Sequence, residues 1–117
     1  MRLRAEIWVK AYIRSCAARG AIAVVARHGD DDAGAIYIKI AHLDGRADVI
    51  GPAPAGLDAA STERRWVMLR LAKTTSEREA DEMLAREREF DPDIWIVEVE
   101  DREGRNFLGD WLVPADT

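Results

Sequence analysis

The stretch over residues 76–104 constrains the fold most, because a highly charged helix pattern passes there directly into an alternating strand. The helix pattern ends at Asp91-Pro92, since proline lacks a backbone donor and disfavours helical geometry in the residue before it. Residues 94–99 then alternate apolar and polar side chains, with the period of two that predicts a half-buried strand. Its glutamates would point outward, as on an exposed or edge strand. This arrangement indicates a domain that mixes helices and strands.

Hydrophobic periodicity and turn residues predict the other elements. In chain order they are a helix at 3–19, a buried strand at 22–26, a strand at 35–40, a strand that ends at Gly51-Pro52, a strand at 65–71, a helix at 76–90 and a strand at 94–99. The first residues of the chain, around Trp8, could instead begin as a short strand. The predicted order is therefore α-β-β-β-β-α-β, within a single compact α+β domain over residues 1–117.

The strands are expected to form a mainly antiparallel sheet of about five strands, with both helices on one face. Asp44-Gly45 is the best hairpin signal in the chain, because both turn positions tolerate positive φ, and it would set Ile40 opposite Val49. The first three strands would then form an antiparallel meander. The strand at 65–71 is apolar at most positions and would be central or well covered. The side chains expected in the core include Ile38, Ile40, Val67, Leu69, Trp95 and Val97.

The second helix is expected to start at a capping box, in which a serine or threonine and a glutamate three residues later satisfy each other's backbone donors. Thr74 with Glu77 and Ser76 with Glu79 offer two overlapping boxes. The thin apolar stripe of this helix would contain Ala80, Met83, Leu84 and Phe90.

The two helical segments differ strongly in charge. Residues 1–20 carry five basic groups against one acidic group, whereas residues 76–103 carry twelve acidic groups against four basic ones. If the helices lie side by side, their charges partly complement each other. The alternative is two independently solvated faces, since exposed ion pairs contribute only about 0–1 kcal/mol.

Composition and charge restrict the class of protein. A chain of 117 residues with 48% hydrophobic and 33% charged residues is typical of one globular domain, and its single cysteine cannot form an internal disulfide. The formal net charge of −5 removes the attraction that drives non-specific binding to nucleic acids or anionic membranes. Charged residues interrupt the N-terminal apolar positions, which argues against an export signal. We therefore expect a cytoplasmic protein without nucleic-acid or membrane partners.

No metal site is expected. His28 and His42 are the only histidines, and they would lie toward opposite ends of paired strands, about 20 Å apart at about 3.3 Å per residue. The acidic turn at 30–32 could supply calcium ligands, but Ala41 stands where a calcium loop of the EF-hand type needs a bidentate acid.

No catalytic residue or cofactor is expected either. Cys16 would lie on the apolar side of the first helix without a histidine nearby, as a small hydrophobic residue and not as a nucleophile. The glutamates of the second helix would stay in water, which does not turn a carboxyl group into a general acid at neutral pH. The loop at 51–56 carries two prolines, which remove backbone donors that a bound phosphate would need.

Arg64 and Arg65 beside Trp66 form the one compact group of basic and aromatic residues in the chain. They could anchor an anion, or they could mark the entrance of a strand whose tryptophan belongs to the core. Double-stranded RNA is excluded as a partner, because the second helix begins with glutamates where an RNA-binding domain needs lysines.

The segment 105–117 is expected to be a tail that docks on the domain or on a partner. Phe107, Leu108, Trp111 and Leu112 have the spacing that places four apolar side chains on one side of a helical turn. Each gains about 1.5–3 kcal/mol on burial, so the group should not remain in water. The favoured site is the chain's own sheet beside the fifth strand, and the alternative is a homodimer contact or a partner protein.

Several segments together resemble a known family. They are residues 5–9, 32–35, 51–54, 63–66 and 90–95. In this order they resemble a family of short bacterial proteins of unknown function, and the resemblance covers nearly the whole chain. It implies no activity, cofactor or catalytic residue.

Two functions from different classes remain. The preferred one is a small non-catalytic interaction or accessory module, because no reactive group of residues is found and the chain has exposed edges and aromatic residues beyond the needs of catalysis. The alternative is a small-molecule-binding or transferase-like enzyme with a pocket near the loop at 51–63, in which Arg64 or Arg65 anchors an anion.

Overall fold

The computed structural model describes residues 3–54 and 63–114 of the chain. The helices and strands in these ranges are α1 (Ala5–Ala18), β1 (Ile22–Arg27), β2 (Ile36–Ala41), β3 (Ala47–Pro52), β4 (Trp66–Arg70), α2 (Glu77–Phe90) and β5 (Trp95–Glu100). Two 3-10 turns, Ala72–Thr74 and Gly109–Trp111, follow β4 and β5. The α+β class and the order of helices and strands agree with the prediction, and Trp8 belongs to a helix. The loop at 51–63 lies mostly outside the described residues.

β5 is an interior strand of the sheet, next to the edge strand β1. The five strands form one mixed sheet in the order β1-β5-β2-β3-β4, in which β5 runs antiparallel to β1 and parallel to β2. The predicted meander is therefore wrong, because β1 pairs with β5 and not with β2. Burial explains the difference, since β5 buries every second side chain whereas β1 leaves Ile22, Val24 and Val25 exposed. Glu98 and Glu100, expected on an exposed or edge strand, are half-buried on a central one.

The hairpin between β2 and β3 is shifted by one residue from the predicted register. Ile40 lies opposite Asp48 and not opposite Val49. The reason is the turn, because Leu43 and Gly45 both have positive φ and the backbone of His42 bonds to Arg46 across three residues instead of two. A shift of one residue moves every side chain of a strand to the other face. Val49 and its neighbours are thereby exchanged between the two sides of the sheet.

β4 is an edge strand, whereas its apolar sequence predicted a strand that is central or well covered. Trp66 is fully buried on one face, whereas Val67 and Leu69, expected in the core, are only half-buried on the other. Ile38, Ile40, Trp95 and Val97 are buried as predicted. The apolar residues of β4 therefore indicate a strand covered from above and below and not one flanked on both sides.

The two helices cover opposite faces of the sheet, so the expectation of one shared face is wrong. α1 packs on a large core whose strand residues include Ile36, Ile38, Ile40, Trp95, Val97 and Val99. On the other face, α2 takes part in a smaller cluster of Ala47, Val49, Ala80 and Leu84. Apolar side chains point to both faces from the middle of the sheet, and each face therefore needs a cover. The hypothesis of complementary helix charges, which required neighbouring helices, fails with it.

α2 begins at one of the two predicted capping boxes. The Ser76 hydroxyl accepts from the backbone of Glu79 at 3.1 Å, and the Glu79 carboxylate accepts from the backbone of Ser76 at 3.0 Å. Ala80 and Leu84 are buried and Met83 is half-buried, but Phe90 is 92% exposed, against the prediction. Phe90 follows Leu84 by six residues, which places it about 240° further around the helix axis at 100° per residue.

Candidate functional site

Trp66 is the centre of a buried aromatic cluster. Its ring stacks on Trp8 with 4.1 Å between centroids, and Trp8 stacks in turn on Tyr12 at 4.9 Å. Trp111 meets Trp8 edge-on at 5.3 Å. The Trp66 indole donates to the carbonyl of Ile36 at 2.9 Å, so its one polar group is satisfied inside the core.

Arg64 is buried and bonds to the backbone. Its guanidinium donates to the carbonyls of Leu3, Asp32 and Gly34, each at 3.2 Å. These bonds tie the start of β4 to the N-terminal segment and to the loop before β2. Arg65 is half-buried, and its carbonyl accepts from the backbone of Ala53 at 2.9 Å. Arg64 thus serves the backbone at the place where an anion anchor was considered.

A cavity lies beside this arginine. It has a volume of about 80 Å³ and is lined by Leu3, Trp8, Glu63, Arg64 and Trp111. The indole N–H of Trp8 is buried and has no hydrogen-bond partner among the residues that the structure describes. An orphaned buried donor next to a cavity indicates a place for a hydrogen-bond acceptor, such as water or a small polar molecule.

The tail packs beside β4 and not beside β5 as expected. Leu112 forms a parallel bridge with Trp66, whose carbonyl accepts from the backbone of Val113 at 2.8 Å. Leu108 is buried in the core, whereas Phe107, Trp111 and Leu112 are half-buried against it. The helical turn predicted for these residues is reduced to the 3-10 turn Gly109–Trp111, because Phe107 has a positive φ of 58°.

A turn after β5 directs the tail toward β4. The buried Asp101 carboxylate accepts from the guanidinium of Arg105 at 2.8 and 3.1 Å and from its backbone at 2.8 Å. The bonds from Arg105 hold the pKa of Asp101 below its usual value, against the opposing effect of burial. Gly104 is required in this turn, because its φ is +68° and a Cβ there would overlap the ring of His42.

Lys39 is a buried charge that sequence analysis did not single out. Its ammonium lies 3.0 Å from Glu77, 2.9 Å from Asp81 and 3.6 Å from Glu98, under α2. Burial lowers the pKa of Lys39, but the bonds to the carboxylates outweigh it and the net direction is upward. The lysine therefore stays protonated and joins α2 to the sheet. Its position between two isoleucines of a buried strand could have indicated from the sequence that this lysine is buried.

The histidines lie in two separate pairs. His28 contacts Asp31 at 2.7 Å and lies against the Trp95 ring, with 4.0 Å between centroids. His42 contacts Asp48 at 2.7 Å, and the second oxygen of that carboxylate accepts from the backbone of Ala72. Over residues 3–54 and 63–114, no three acidic, cysteine or histidine side chains converge as metal ligands.

Cys16 is buried in α1 among core residues. Burial raises the pKa of the Cys16 thiol, and burial likewise raises the pKa of the neighbouring Tyr12 hydroxyl. The Tyr12 hydroxyl donates to the carbonyl of Asn106 at 2.7 Å, which ties α1 to the tail. Neither group is prepared for nucleophilic chemistry.

β1 is the most exposed apolar element of the described chain. Ile22 is 61% exposed, Val24 52% and Val25 40%, and no strand within the described residues pairs with the outer edge of β1. Val24 lies opposite Glu98, which reaches Lys39 beneath α2, so Ile22 and Val24 point to the α2 face. α2 lies over the middle of the sheet and leaves these side chains open. Sequence analysis read this strand as buried because every residue in it is uncharged before its last.

Two shallow cavities flank β1 on this face. One, of about 480 Å³, is lined by residues that include Ile22, Leu43 and Glu100. The other, of about 180 Å³, is lined by residues that include Arg27 and Glu98. We call the exposed strand together with these two cavities the β1 surface.

None of the helices in the described ranges is long and apolar enough to cross a membrane.

Comparison with known proteins places the fold in one family. The family described as "Protein of unknown function (DUF1491)" matches residues 3–109. A crystal structure of a DUF1491 family protein from Caulobacter crescentus CB15 is similar, with 39% identity, 97% of this chain and 100% of that chain covered, and a TM-score of 0.80. The solution structure of protein Atu0922 from A. tumefaciens is similar at 36% identity, with 100% and 98% covered and a TM-score of 0.78. No curated protein matches. The chain therefore belongs to the DUF1491 family of proteins of unknown function.

Proposed function

We propose that the protein is a non-catalytic interaction module that binds an extended protein segment along β1. The observation that supports this most is the exposure of Ile22, Val24 and Val25 on a strand whose outer edge is unpaired within the described residues. A free edge offers a row of backbone donors and acceptors to a new strand, and the side chains select it. The partner is therefore a protein.

Edge strands of stable proteins are usually protected by charges, prolines or bulges. β1 carries no charge or proline before Arg27, and its bulge lies between Val25 and Arg27, at its end. Burial of a valine or isoleucine side chain gains about 1.5–3 kcal/mol, so coverage of this strand is favourable. A protected edge would have sacrificed little stability here, which supports a functional reason for the bare one.

The groups that chemistry would need have structural partners instead. Lys39 is held by carboxylates, Arg64 by backbone carbonyls, and Cys16 is buried with a raised thiol pKa. The net charge of −5 favours a protein partner over nucleic acid or an anionic membrane. We place the protein in the cytoplasm, because a single buried free thiol suits a reducing compartment.

Binding of strands tests the proposal. Nitrogen-15 labelled protein is titrated with short peptides of alternating valine and threonine, with a helical peptide of equal length as control. We expect amide shifts confined to β1 and β5, and their loss in Val24→Lys. Phe90→Lys, which changes an equally exposed apolar residue on α2, should bind as the unmodified protein does. Shifts centred elsewhere, or binding that Val24→Lys leaves intact, would contradict the proposal.

A second candidate is the binding of a small polar molecule beside Arg64. The orphaned indole N–H of Trp8, at the cavity of about 80 Å³, favours a ligand that accepts a hydrogen bond. Thermal shift against nucleotides, coenzyme A and small carboxylates tests it, since a ligand at about 100 times its Kd adds about 2.7 kcal/mol. The Trp8→Phe variant should lose the shift while it stays folded. No stabilisation by any compound would remove this candidate.

A further inference from the structure

We infer that the strand which pairs with β1 is β1 of a second copy of this chain, antiparallel, about a two-fold axis beside Val24. The two sheets would then form one continuous sheet through both protomers. This inference rests on the proposed function, because it names the occupant of the β1 surface.

The sequence of β1 suits pairing with itself. Residues 21–26 contain no charge, so two antiparallel copies bring no like charges together. Residues directly opposite each other in an antiparallel pair point to the same face. With Val24 opposite its own copy, the exposed side chains on the α2 face of one protomer meet those of the other. An isologous contact of this kind closes on itself and leaves no further edge at β1.

Charges at the two ends of β1 complement each other under this symmetry. Arg27 pairs with Ile96, and Ile22 pairs with Glu100, all on the α2 face. Antiparallel pairing about Val24 places Ala26 of one copy opposite Ile22 of the other. The bulge between Val25 and Arg27 puts Arg27 next to Ala26 on the α2 face, beside that Ile22. Glu100 is then two strand spacings away, about 10 Å between backbones, which an arginine and a glutamate side chain together span.

Neither of these two charges has an ion pair within the described chain. Arg27 donates to the carbonyl of Pro92 at 2.6 Å, and its Nε is buried without a hydrogen-bond partner among the described residues. Glu100 is half-buried beside the cavity next to Ile22, and no ion pair within residues 3–54 and 63–114 includes it. The two-fold axis would form the Arg27–Glu100 pair twice, which selects this register over a slipped one.

Size-exclusion chromatography with light scattering and sedimentation equilibrium test the inference on the full chain. We expect a dimer at concentrations up to about 200 μM, where even a micromolar Kd is visible. Val24→Lys places two ammonium groups at the two-fold axis and should yield a monomer. Phe90→Lys, the matched control, should remain dimeric. A peptide that binds β1 should also dissociate the dimer.

A charge exchange distinguishes the second copy from any other partner. Arg27→Glu should weaken the dimer about tenfold or more, because it faces Glu100 of the other protomer. Combining it with Glu100→Arg should restore the dimer, since the pair is re-formed with reversed sign. Circular dichroism and thermal melting check that each variant is folded. If Arg27→Glu unfolds the protein, Glu100→Arg alone is used as the single charge reversal that should weaken the dimer.

The outcomes separate this inference from the proposed function. A monomeric unmodified protein at about 200 μM would overturn the second copy, while the peptide titration would still decide whether β1 binds strands. A dimer that survives Val24→Lys would place the contact elsewhere and overturn the inference as well. Failure of the charge exchange to restore a weakened dimer would overturn the two-fold register.

Discussion

β4 and β1 are the two edge strands of one sheet, and the chain treats them differently. Along β4, the tail runs parallel to the strand at Trp66 and supplies a backbone bond from Val113. Along β1, no segment of the described chain covers the outer edge, and Ile22 and Val24 are more than half exposed. One edge is protected where it borders the main core, and the other is open.

The difference follows from what lies behind each edge. Trp66 is at the edge of β4 and yet at the centre of the aromatic cluster, so water at this edge would reach the core. The side chains of β1 on the α2 face belong to neither hydrophobic cluster. Exposure of β4 would therefore cost core stability, whereas exposure of β1 costs little. The two edges can be compared directly by changing residues at each one and measuring the free energy of unfolding.

Of the changes considered, loss of the tail should lower the free energy of unfolding most. Deleting residues 106–117 removes the buried Leu108 and three half-buried side chains from the core, together with the acceptor for Tyr12. At about 1.5–3 kcal/mol for each fully buried side chain, the free energy of unfolding should fall by at least about 4 kcal/mol. Urea titration followed by tryptophan fluorescence measures it. Asp110→Ala, an exposed change in the same segment, should have little effect, and an equally stable truncated protein would mean that the tail belongs to an interface.

The second-largest loss of stability is expected from a change in the turn that directs the tail. Asp101→Asn removes a buried carboxylate that accepts charged hydrogen bonds, which should cost about 1.5–3 kcal/mol near neutral pH. The folded-state pKa of Asp101 lies below the unfolded value of about 3.9, so its contribution is complete above about pH 4 and is lost as the pH falls through the folded value. Urea titrations at pH 7 and pH 3 should show a difference between variant and unmodified protein that shrinks at the lower pH. A constant difference would argue against an ionised Asp101 as the cause.

Trp66→Phe tests how much the single indole hydrogen bond of Trp66 stabilises the protected edge. The substitution keeps an aromatic ring but leaves the carbonyl of Ile36 buried without its donor, which should cost about 1–3 kcal/mol. Tyr37→Phe on the opposite face removes a bond to Glu87 that is only partly buried, and it should cost less. Equal losses in the two variants would show that the aromatic cluster does not depend on this hydrogen bond.

The smallest effect is expected at the open edge. Val24→Thr changes an exposed side chain at nearly constant shape, and the free energy of unfolding should change by no more than about 0.5 kcal/mol in dilute protein. Amide exchange should be faster along the outer side of β1 than at Val113, whose amide is bonded to β4. A loss above about 1 kcal/mol would mean that β1 is covered in solution even at low concentration.

Local patterns predicted the elements well. The capping box at Ser76 and the alternating burial of β5 each depend on neighbouring residues, and both were correct. The position of β5 between β1 and β2 could not be derived in this way, because it results from competition among distant strands. The hairpin register depended on one residue, Leu43, which has a positive φ. A leucine side chain gives no indication of such a backbone conformation.

The candidate site was harder to predict than the fold. Sequence analysis singled out Arg64 and Trp66 as possible binding residues, but only the three-dimensional arrangement shows that one holds backbone carbonyls and the other stacks on Trp8. The β1 surface escaped detection because an uncharged strand at an edge has the same composition as one in a core. Its exposure depends on the limited reach of α2, which no local pattern encodes.

The central place of β5 also determines when the sheet can be completed during synthesis. β1 emerges early, yet Ile22 pairs with Glu100 near the other end of the chain, so β1 waits for a strand made almost last. The hairpins of β2, β3 and β4 need only local loops and can form before it. Pairings of such long range slow folding. β1 and β5 should therefore become protected from amide exchange together and last. Until then, β2 of the nascent chain exposes its apolar side chains and has no strand paired along the edge that β5 later occupies.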